Sequence, residues 1–138
     1  MQAKKLNSQK FIIRLSRGEN IIQSLKDFCQ KNKIYGGFFY GLGAVNQVEL
    51  AHYDVKQKKY SAIKFRKPLE MTSLIGSIGT EKEIIIHAHA NFTDKKMKAI
   101  GGHLVEGKIS GTAEIILLKT EKLIKQYDPE TGLKLFDI

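Results

Sequence analysis

The alternation of apolar and polar residues along the chain predicts a protein built mainly of β-strands. In residues 10–16 (KFIIRLS), Phe11, Ile13 and Leu15 fall on one face, because successive side chains of a strand point to opposite sides. Residues 108–118 (KISGTAEIILL) are strongly apolar, as is typical of a central strand covered on both faces. Further strands are predicted at residues 48–54, 59–65, 69–78, 123–127 and 133–136. Short turns join neighbouring segments, which favours antiparallel pairing.

One segment instead shows the spacing of a helix. In residues 21–31 the apolar positions 21, 22, 25, 28 and 29 form one stripe, and Asn20 precedes them as a helix cap. Cys29 lies on that stripe and is the only cysteine, so we expect a buried thiol and no intrachain disulfide. The next segment, residues 34–45, follows this helix and contains four glycines, which indicates β-bulges or close packing rather than a phosphate-binding loop. One helix and about eight short strands predict a single α+β domain with a dominant antiparallel sheet.

Three of the four histidines lie within residues 84–104 (IIIHAHANFTDKKMKAIGGHL). The apolar, β-branched run before His87 is typical of a strand, on which His87 and His89 project the same way with Cα atoms about 7 Å apart. The opposite face carries residues expected in the core: Ile84, Ile86, Ala88, Ala90 and Phe92. His103 follows Gly101 and Gly102, whose missing side chains would let its backbone approach the histidine strand closely.

The spacing of these three histidines suggests a metal site. Zinc prefers four tetrahedral ligands, so His87, His89 and His103 would leave one position open for water or substrate. Imidazole also suits nickel, copper and iron, so another divalent transition metal fits equally well. The alternative is that the histidines are hydrogen-bonded residues on a half-buried face or line a subunit interface. Glu70 and Glu114 are candidates to orient an imidazole, with a salt bridge or an exposed strand face as the alternative for each.

Whether the protein is an enzyme stays open at the level of sequence. No serine lies in a G-x-S-x-G elbow, and the single cysteine is expected to be buried. A metal-activated water with a nearby carboxylate base is the one chemistry that the residues support.

The charge and the ends of the chain bear on partners and location. An excess of 23 basic over 14 acidic residues gives a net charge of +9, which favours nucleic acid or an anionic surface as partner. The lysines are spread along the chain, however, so a lysine-rich surface that maintains solubility is the alternative. No apolar run approaches the roughly 18 residues that a membrane span needs. The N-terminus has no apolar stretch typical of a secretory signal, and we expect a cytoplasmic protein.

Five motifs in order resemble the PPC (plants and prokaryotes conserved) domain: GLGAV at 41–45, YD at 53–54, PLEMTSLIGSIG at 68–79, HAH at 87–89 and GGHLVEG at 101–107. The resemblance covers residues 8–136 of a single domain, residues 1–138. It implies a mixed, largely antiparallel sheet with one helix packed on it, and assembly as a homotrimer. Prokaryotic members carry histidines that can hold zinc, and the matching positions are His87, His89 and His103.

Plant members of the family bind AT-rich DNA through a separate AT-hook with an R-G-R-P core. The only Arg-Gly pair here, Arg17-Gly18, is followed by Glu19, so that mechanism does not carry over. The resemblance therefore implies a stand-alone prokaryotic PPC-type homotrimer with a three-histidine zinc site. Such a protein would be a binding or interaction module, or a metal-dependent protein acting on an unknown small molecule. The alternative is a DNA-binding protein or transcriptional regulator that uses the basic surface of the trimer.

Overall fold

A computed structural model describes all 138 residues as nine β-strands and one α-helix. In chain order the elements are β1 (Gln2–Lys5), β2 (Lys10–Ser16), α1 (Ile21–Lys31), β3 (Gly37–Asp54), β4 (Lys59–Phe65), β5 (Leu69–Thr80), β6 (Ile84–Thr93), β7 (Ala99–Lys119), β8 (Lys125–Tyr127) and β9 (Lys134–Phe136). The helix and the predicted strands at residues 10–16 and 59–65 are confirmed. No helix has the length and apolar character that crossing a lipid bilayer requires.

Seven strands form one antiparallel sheet in the order β1-β2-β7-β6-β5-β3-β4, with β7 also pairing with β3. The pairings β3–β5, β5–β6, β6–β7 and β7–β3 return to their starting strand, so these four strands form a closed ring. Strands β8 and β9 form a separate antiparallel hairpin. The predicted fold class is therefore confirmed as a mostly antiparallel sheet with one helix. The one parallel pairing is an isolated bridge that joins Thr80 to Ile124, and all the strand ladders are antiparallel.

Two strands are much longer than the sequence pattern predicts. Strand β3 joins most of the glycine-rich segment to the strand predicted at residues 48–54, and β7 joins residues 99–107 to the strand predicted at 108–118. Register shifts interrupt both ladders, one of them between Gly41 and Gly43. Such bulges bend a strand and let it change partners along its length, so β3 and β7 each take part in three pairings. The glycine-rich segment is confirmed as strand with a bulge.

The core fills the space between the sheet and α1, which packs against β6 and β7. Phe11, on β2, meets Phe28 of the helix edge to face, with ring centroids 5.6 Å apart. Cys29 is fully buried beside Phe28, and burial raises the pKa of its thiol to about 12. The prediction of a buried cysteine is confirmed.

The helix is capped by a residue far away in the sequence. Asn20 occupies the cap position, but its side chain makes no capping hydrogen bond. The Glu106 carboxylate on β7 instead accepts the backbone N–H groups of Ile22 (2.9 Å) and Gln23 (3.2 Å). A carboxylate here satisfies free N–H groups and complements the positive end of the helix dipole. The capping role predicted for Asn20 therefore belongs to Glu106.

Candidate metal centre

The structure brings His87, His89 and His103 together on one surface of the sheet. His87 and His89 project from β6, and His103 of β7 pairs directly with His89 across the ladder. The ring centroids are 5.2 to 5.5 Å apart, and one ligand nitrogen from each ring lies within 4.8 Å of the others. We call these three residues the histidine cluster. Metal–nitrogen bonds of about 2.0–2.1 Å would require these nitrogens to move somewhat closer together, which side-chain rotation can supply.

The core face of β6 holds the histidine-bearing strand in this orientation. Ala88, Ala90 and Phe92 are at most 2% exposed and alternate with the histidines, so the two imidazoles must point away from the core. Ile84 is also buried, and Ile86 packs against the core while partly exposed. The predicted division of β6 into a core face and a histidine face is confirmed.

The glycine before the cluster allows β7 to lie against β6. A Cβ atom at Gly101 would be 2.1 Å from Oδ1 of Asn91 and 3.0 Å from the carbonyl oxygen of Ala90. On the other side of β7, a Cβ at Gly102 would be 3.0 Å from the carbonyl oxygen of Ala51. Contacts this short are not tolerated without movement of a neighbour. The expected close approach to the histidine strand is confirmed for Gly101, whereas the close contact at Gly102 is with β3.

The chemistry of the cluster fits a metal ion. Loss of hydration lowers the pKa of His87 to about 4, with further contributions from Lys125, His103 and His89. Burial, with His89, also lowers the pKa of His103. Neutral imidazole is the form that binds metals. The Nδ1 atom of His103 is buried without a hydrogen-bond partner, an uncommon state for a buried polar atom that a ligand bound in the cluster would relieve.

Other candidate residues lie away from the cluster. Glu70 pairs with Thr93 and Ala44, while Glu114 pairs with Arg14 and Leu42. Both carboxylates are exposed, and neither affects the pKa of His87 or His103. The suggestion that one of them orients an imidazole is wrong, because the register places both on other parts of the sheet. His52 is likewise an exposed residue outside the cluster.

A cavity of about 500 Å³ adjoins the cluster, between the sheet and the β8–β9 hairpin. We call it the hairpin cavity; it is lined by Tyr60, Ser77, Ile85, Ile86, His87, His103, Lys125 and residues 132–136. The Tyr60 ring lies 5.0 Å from that of His103 at an angle of 38°. The hairpin is held in place by a hydrogen bond from the Thr80 N–H to the Leu123 carbonyl (2.8 Å) and another from the Tyr53 hydroxyl to the Thr131 carbonyl (2.7 Å).

Lys125 is the residue of this cavity that sequence reasoning missed. Its side chain is only 4% exposed, and burial lowers its pKa. The ammonium nitrogen lies 4.4 Å from the centroid of the Phe136 ring, a cation–π arrangement. One weak feature of the sequence indicates that Lys125 is buried: in the predicted strand 123–127, it shares a face with Leu123 and Tyr127.

The fold and the cluster together define a class of small proteins in which a mostly antiparallel sheet with one helix presents three clustered histidines beside a cavity. The family model of the Plants and Prokaryotes Conserved (PCC) domain matches residues 2–121, and the chain belongs to this family. PPC is an alternative abbreviation of the same name, so the resemblance to the PPC domain is confirmed.

Several solved structures resemble this chain over nearly its whole length. A PPC protein from Pyrococcus horikoshii is 30% identical, with a TM-score of 0.87 and 95% of this chain and 92% of that chain covered. A candidate DNA-binding protein from Bacteroides thetaiotaomicron is 27% identical, with a TM-score of 0.94 and coverage of 99% and 96%. A metal-containing protein from Archaeoglobus fulgidus is 25% identical, with a TM-score of 0.86 and coverage of 95% and 94%. Among curated proteins, none matches this chain.

Proposed function

We propose that this protein is a homotrimeric PPC-type binding module in which His87, His89 and His103 hold one divalent transition metal ion, zinc in the first instance. The observation that carries the proposal is the convergence of three ligand nitrogens to within 4.8 Å of one another. The unpartnered Nδ1 of His103 and the lowered pKa values of His87 and His103 support it. So does the similarity to the metal-containing protein from Archaeoglobus fulgidus.

The hairpin cavity favours a small molecule as the partner of this metal. An ion with three protein ligands keeps one coordination position open, where it can polarise a bound oxygen atom. His87 and His103 both line the cavity, so a molecule bound there has access to the cluster. No carboxylate lines the cavity, so a general base of that kind is absent. We therefore favour binding over metal-assisted hydrolysis.

The metal is tested by measuring the metal content of protein purified without a polyhistidine tag. We expect about one zinc ion per chain in the wild type and none in the double variant His87→Ala/His89→Ala, because one imidazole alone binds weakly. His52→Ala is the matched control: it removes an exposed histidine outside the cluster and should retain the metal. Stoichiometric metal in the double variant would place the site elsewhere.

An exposed apolar surface supports the homotrimer. Ile12, Tyr40, Leu42 and Ile75, each 40% to 64% exposed, line one groove of about 480 Å³ formed by β2, β3, β5 and β7. We call these four residues the outer apolar face. Contiguous apolar surface of this kind commonly marks a protein–protein interface. We propose that further copies of this chain cover it, as the family resemblance implies.

Sedimentation velocity tests the assembly. The wild type should sediment with the mass of three chains, and Leu42→Lys/Ile75→Lys should sediment as a monomer, because two charges would be buried in the interface. Ile63→Lys is the control, since Ile63 is 62% exposed on the edge strand β4 and outside the outer apolar face. A monomeric wild type at micromolar concentration would refute the trimer.

A DNA-binding role is the second candidate, because of the net charge of +9 and the likeness to the candidate DNA-binding protein from Bacteroides thetaiotaomicron. Binding of this electrostatic kind would weaken by about one log unit of affinity per log unit of salt for each phosphate contacted. Fluorescence anisotropy with labelled duplex DNA would measure it. Absence of binding even at low salt would eliminate this candidate.

A further inference from the structure

Lys125 has a buried side chain that lines the hairpin cavity, and its ammonium group has no anionic partner. It is 4% exposed and forms neither a salt bridge nor a side-chain hydrogen bond, and its ammonium nitrogen lies over the Phe136 ring. Its aliphatic stem packs on Gly79, where an added Cβ would be 3.0 Å from both Cγ and Cε of the lysine. Lysines are almost never this buried unless they are paired. An anion bound in the hairpin cavity would supply the partner that the chain itself lacks.

The surroundings of Lys125 define the chemistry of that anion. The hairpin cavity contains no acidic residue, and its other lysine, Lys134, is already paired with Glu81 at 2.5 Å. Half of the twelve lining residues are hydrophobic, contributed mainly by the hairpin and by Ile85 and Ile86. A volume of about 500 Å³ lies within the usual range of small-molecule sites. The cavity therefore suits a molecule with one anionic group and an apolar body.

We propose, building on the metal site proposed above, that the hairpin cavity binds a small organic carboxylate. Its carboxylate contacts the Lys125 ammonium and occupies the open position of the metal held by the histidine cluster. Its apolar body packs against Leu133, Leu135 and Phe136. The apolar half of the lining matches a carboxylate that carries a hydrocarbon body better than inorganic phosphate, which has no apolar part and is strongly hydrated.

Cobalt(II) replaces zinc for the test, because its visible spectrum reports its ligands. Benzoate should alter the spectrum of the cobalt-loaded wild type in a saturable manner, while benzyl alcohol, which has the same ring and no charge, should have little effect. Lys125→Met should weaken benzoate binding about 10- to 100-fold, the contribution expected of a charged hydrogen bond. Lys122→Met is the matched control: it removes an exposed lysine that lies outside the cavity and should stay within about threefold of the wild type.

The outcomes separate this inference from the metal proposal. If cobalt does not bind at all, the metal proposal fails and this inference fails with it. If cobalt binds but benzoate leaves the spectrum unchanged, or acts equally on the wild type and Lys125→Met, only this inference is overturned. Tighter binding of inorganic phosphate than of benzoate would overturn the carboxylate assignment. The comparison of benzoate with benzyl alcohol uses the wild type alone and tests whether a carboxylate is bound; if Lys125→Met does not fold, Lys125→Gln, which also removes the charge, tests the contact with the ammonium group.

Discussion

The substitution Gly101→Ala tests how the sheet builds the histidine cluster. The new methyl group would lie 2.1 Å from Oδ1 of Asn91 and 3.0 Å from the Ala90 carbonyl oxygen. The Asn91 side chain is exposed and can rotate away, with loss of its 3.0 Å hydrogen bond to the Ser73 hydroxyl. The Ala90 carbonyl belongs to the β6 backbone and cannot. Strand β7 would therefore have to move away from β6, and His103 would move with it.

The expected size of the effect follows from these two contacts. The lost hydrogen bond at an exposed site costs about 0.5–1 kcal/mol, and forcing a methyl group into a closely packed ladder costs about 1–3 kcal/mol. We expect Gly101→Ala to lower the free energy of unfolding by about 2 kcal/mol in total. Gly111→Ala is the control on the same strand, because its nearest contact would be the Ala44 Cβ at 4.0 Å. That substitution should be neutral or stabilise by a few tenths of a kcal/mol through the unfolded state.

Urea denaturation of all variants at one protein concentration measures these differences, and cobalt titration reports on the cluster. Gly101→Ala should lose both stability and cobalt affinity, whereas Gly111→Ala should keep both. The double variant Gly101→Ala/Asn91→Ala should recover part of the stability, since it relieves the shorter contact and leaves the one to Ala90. Equal stability of Gly101→Ala and Gly111→Ala would refute the close approach of β6 and β7.

Three further predictions concern the helix cap, pH and the metal. Glu106→Ala should lower the free energy of unfolding by about 1–2 kcal/mol in urea, and Glu106→Gln by less, because the amide oxygen still accepts the N–H groups of Ile22 and Gln23. In the metal-free folded protein the pKa of His87 is lowered from its ordinary 6.5 to about 4. As the pH falls below 6.5, this imidazole therefore binds a proton in the unfolded state before it does so in the folded state. Stability should therefore fall as the pH drops from about 6.5 to 4, and His87→Gln should flatten that part of the thermal-unfolding profile. Removing the metal with a chelator should lower the melting temperature of the wild type, since a ligand at 100 times its Kd stabilises by about 2.7 kcal/mol, and should not affect His87→Ala/His89→Ala.

Local patterns explain what could be predicted from the sequence. The alternation in residues 10–16 and the helical stripe in residues 21–31 depend on neighbouring residues, and both elements are observed with these bounds. The shared direction of His87 and His89 follows from the two-residue period of a strand. The addition of His103 to the cluster depended on the glycines before it, which indicated close packing of two strands.

The features that could not be predicted from the sequence depend on contacts between distant parts of the chain. Glu106 caps a helix whose N–H donor at Ile22 lies 84 residues away, and no local pattern indicates such a partner. Strand β7 pairs first with β6 and then with β3 and β2, so its continuity depends on bulges and on which strands it meets. Lys125 is buried because the hairpin folds over the end of β5, whereas a lysine in a polar segment is ordinarily exposed.

Anomalous diffraction from crystals of the untagged protein, recorded on both sides of the zinc absorption edge, would locate a zinc ion relative to the three imidazoles. We expect one anomalous peak per chain, about 2.0–2.1 Å from a nitrogen of each of His87, His89 and His103. An absence of any peak in zinc-supplemented crystals, or imidazoles that point away from one another, would contradict this expectation.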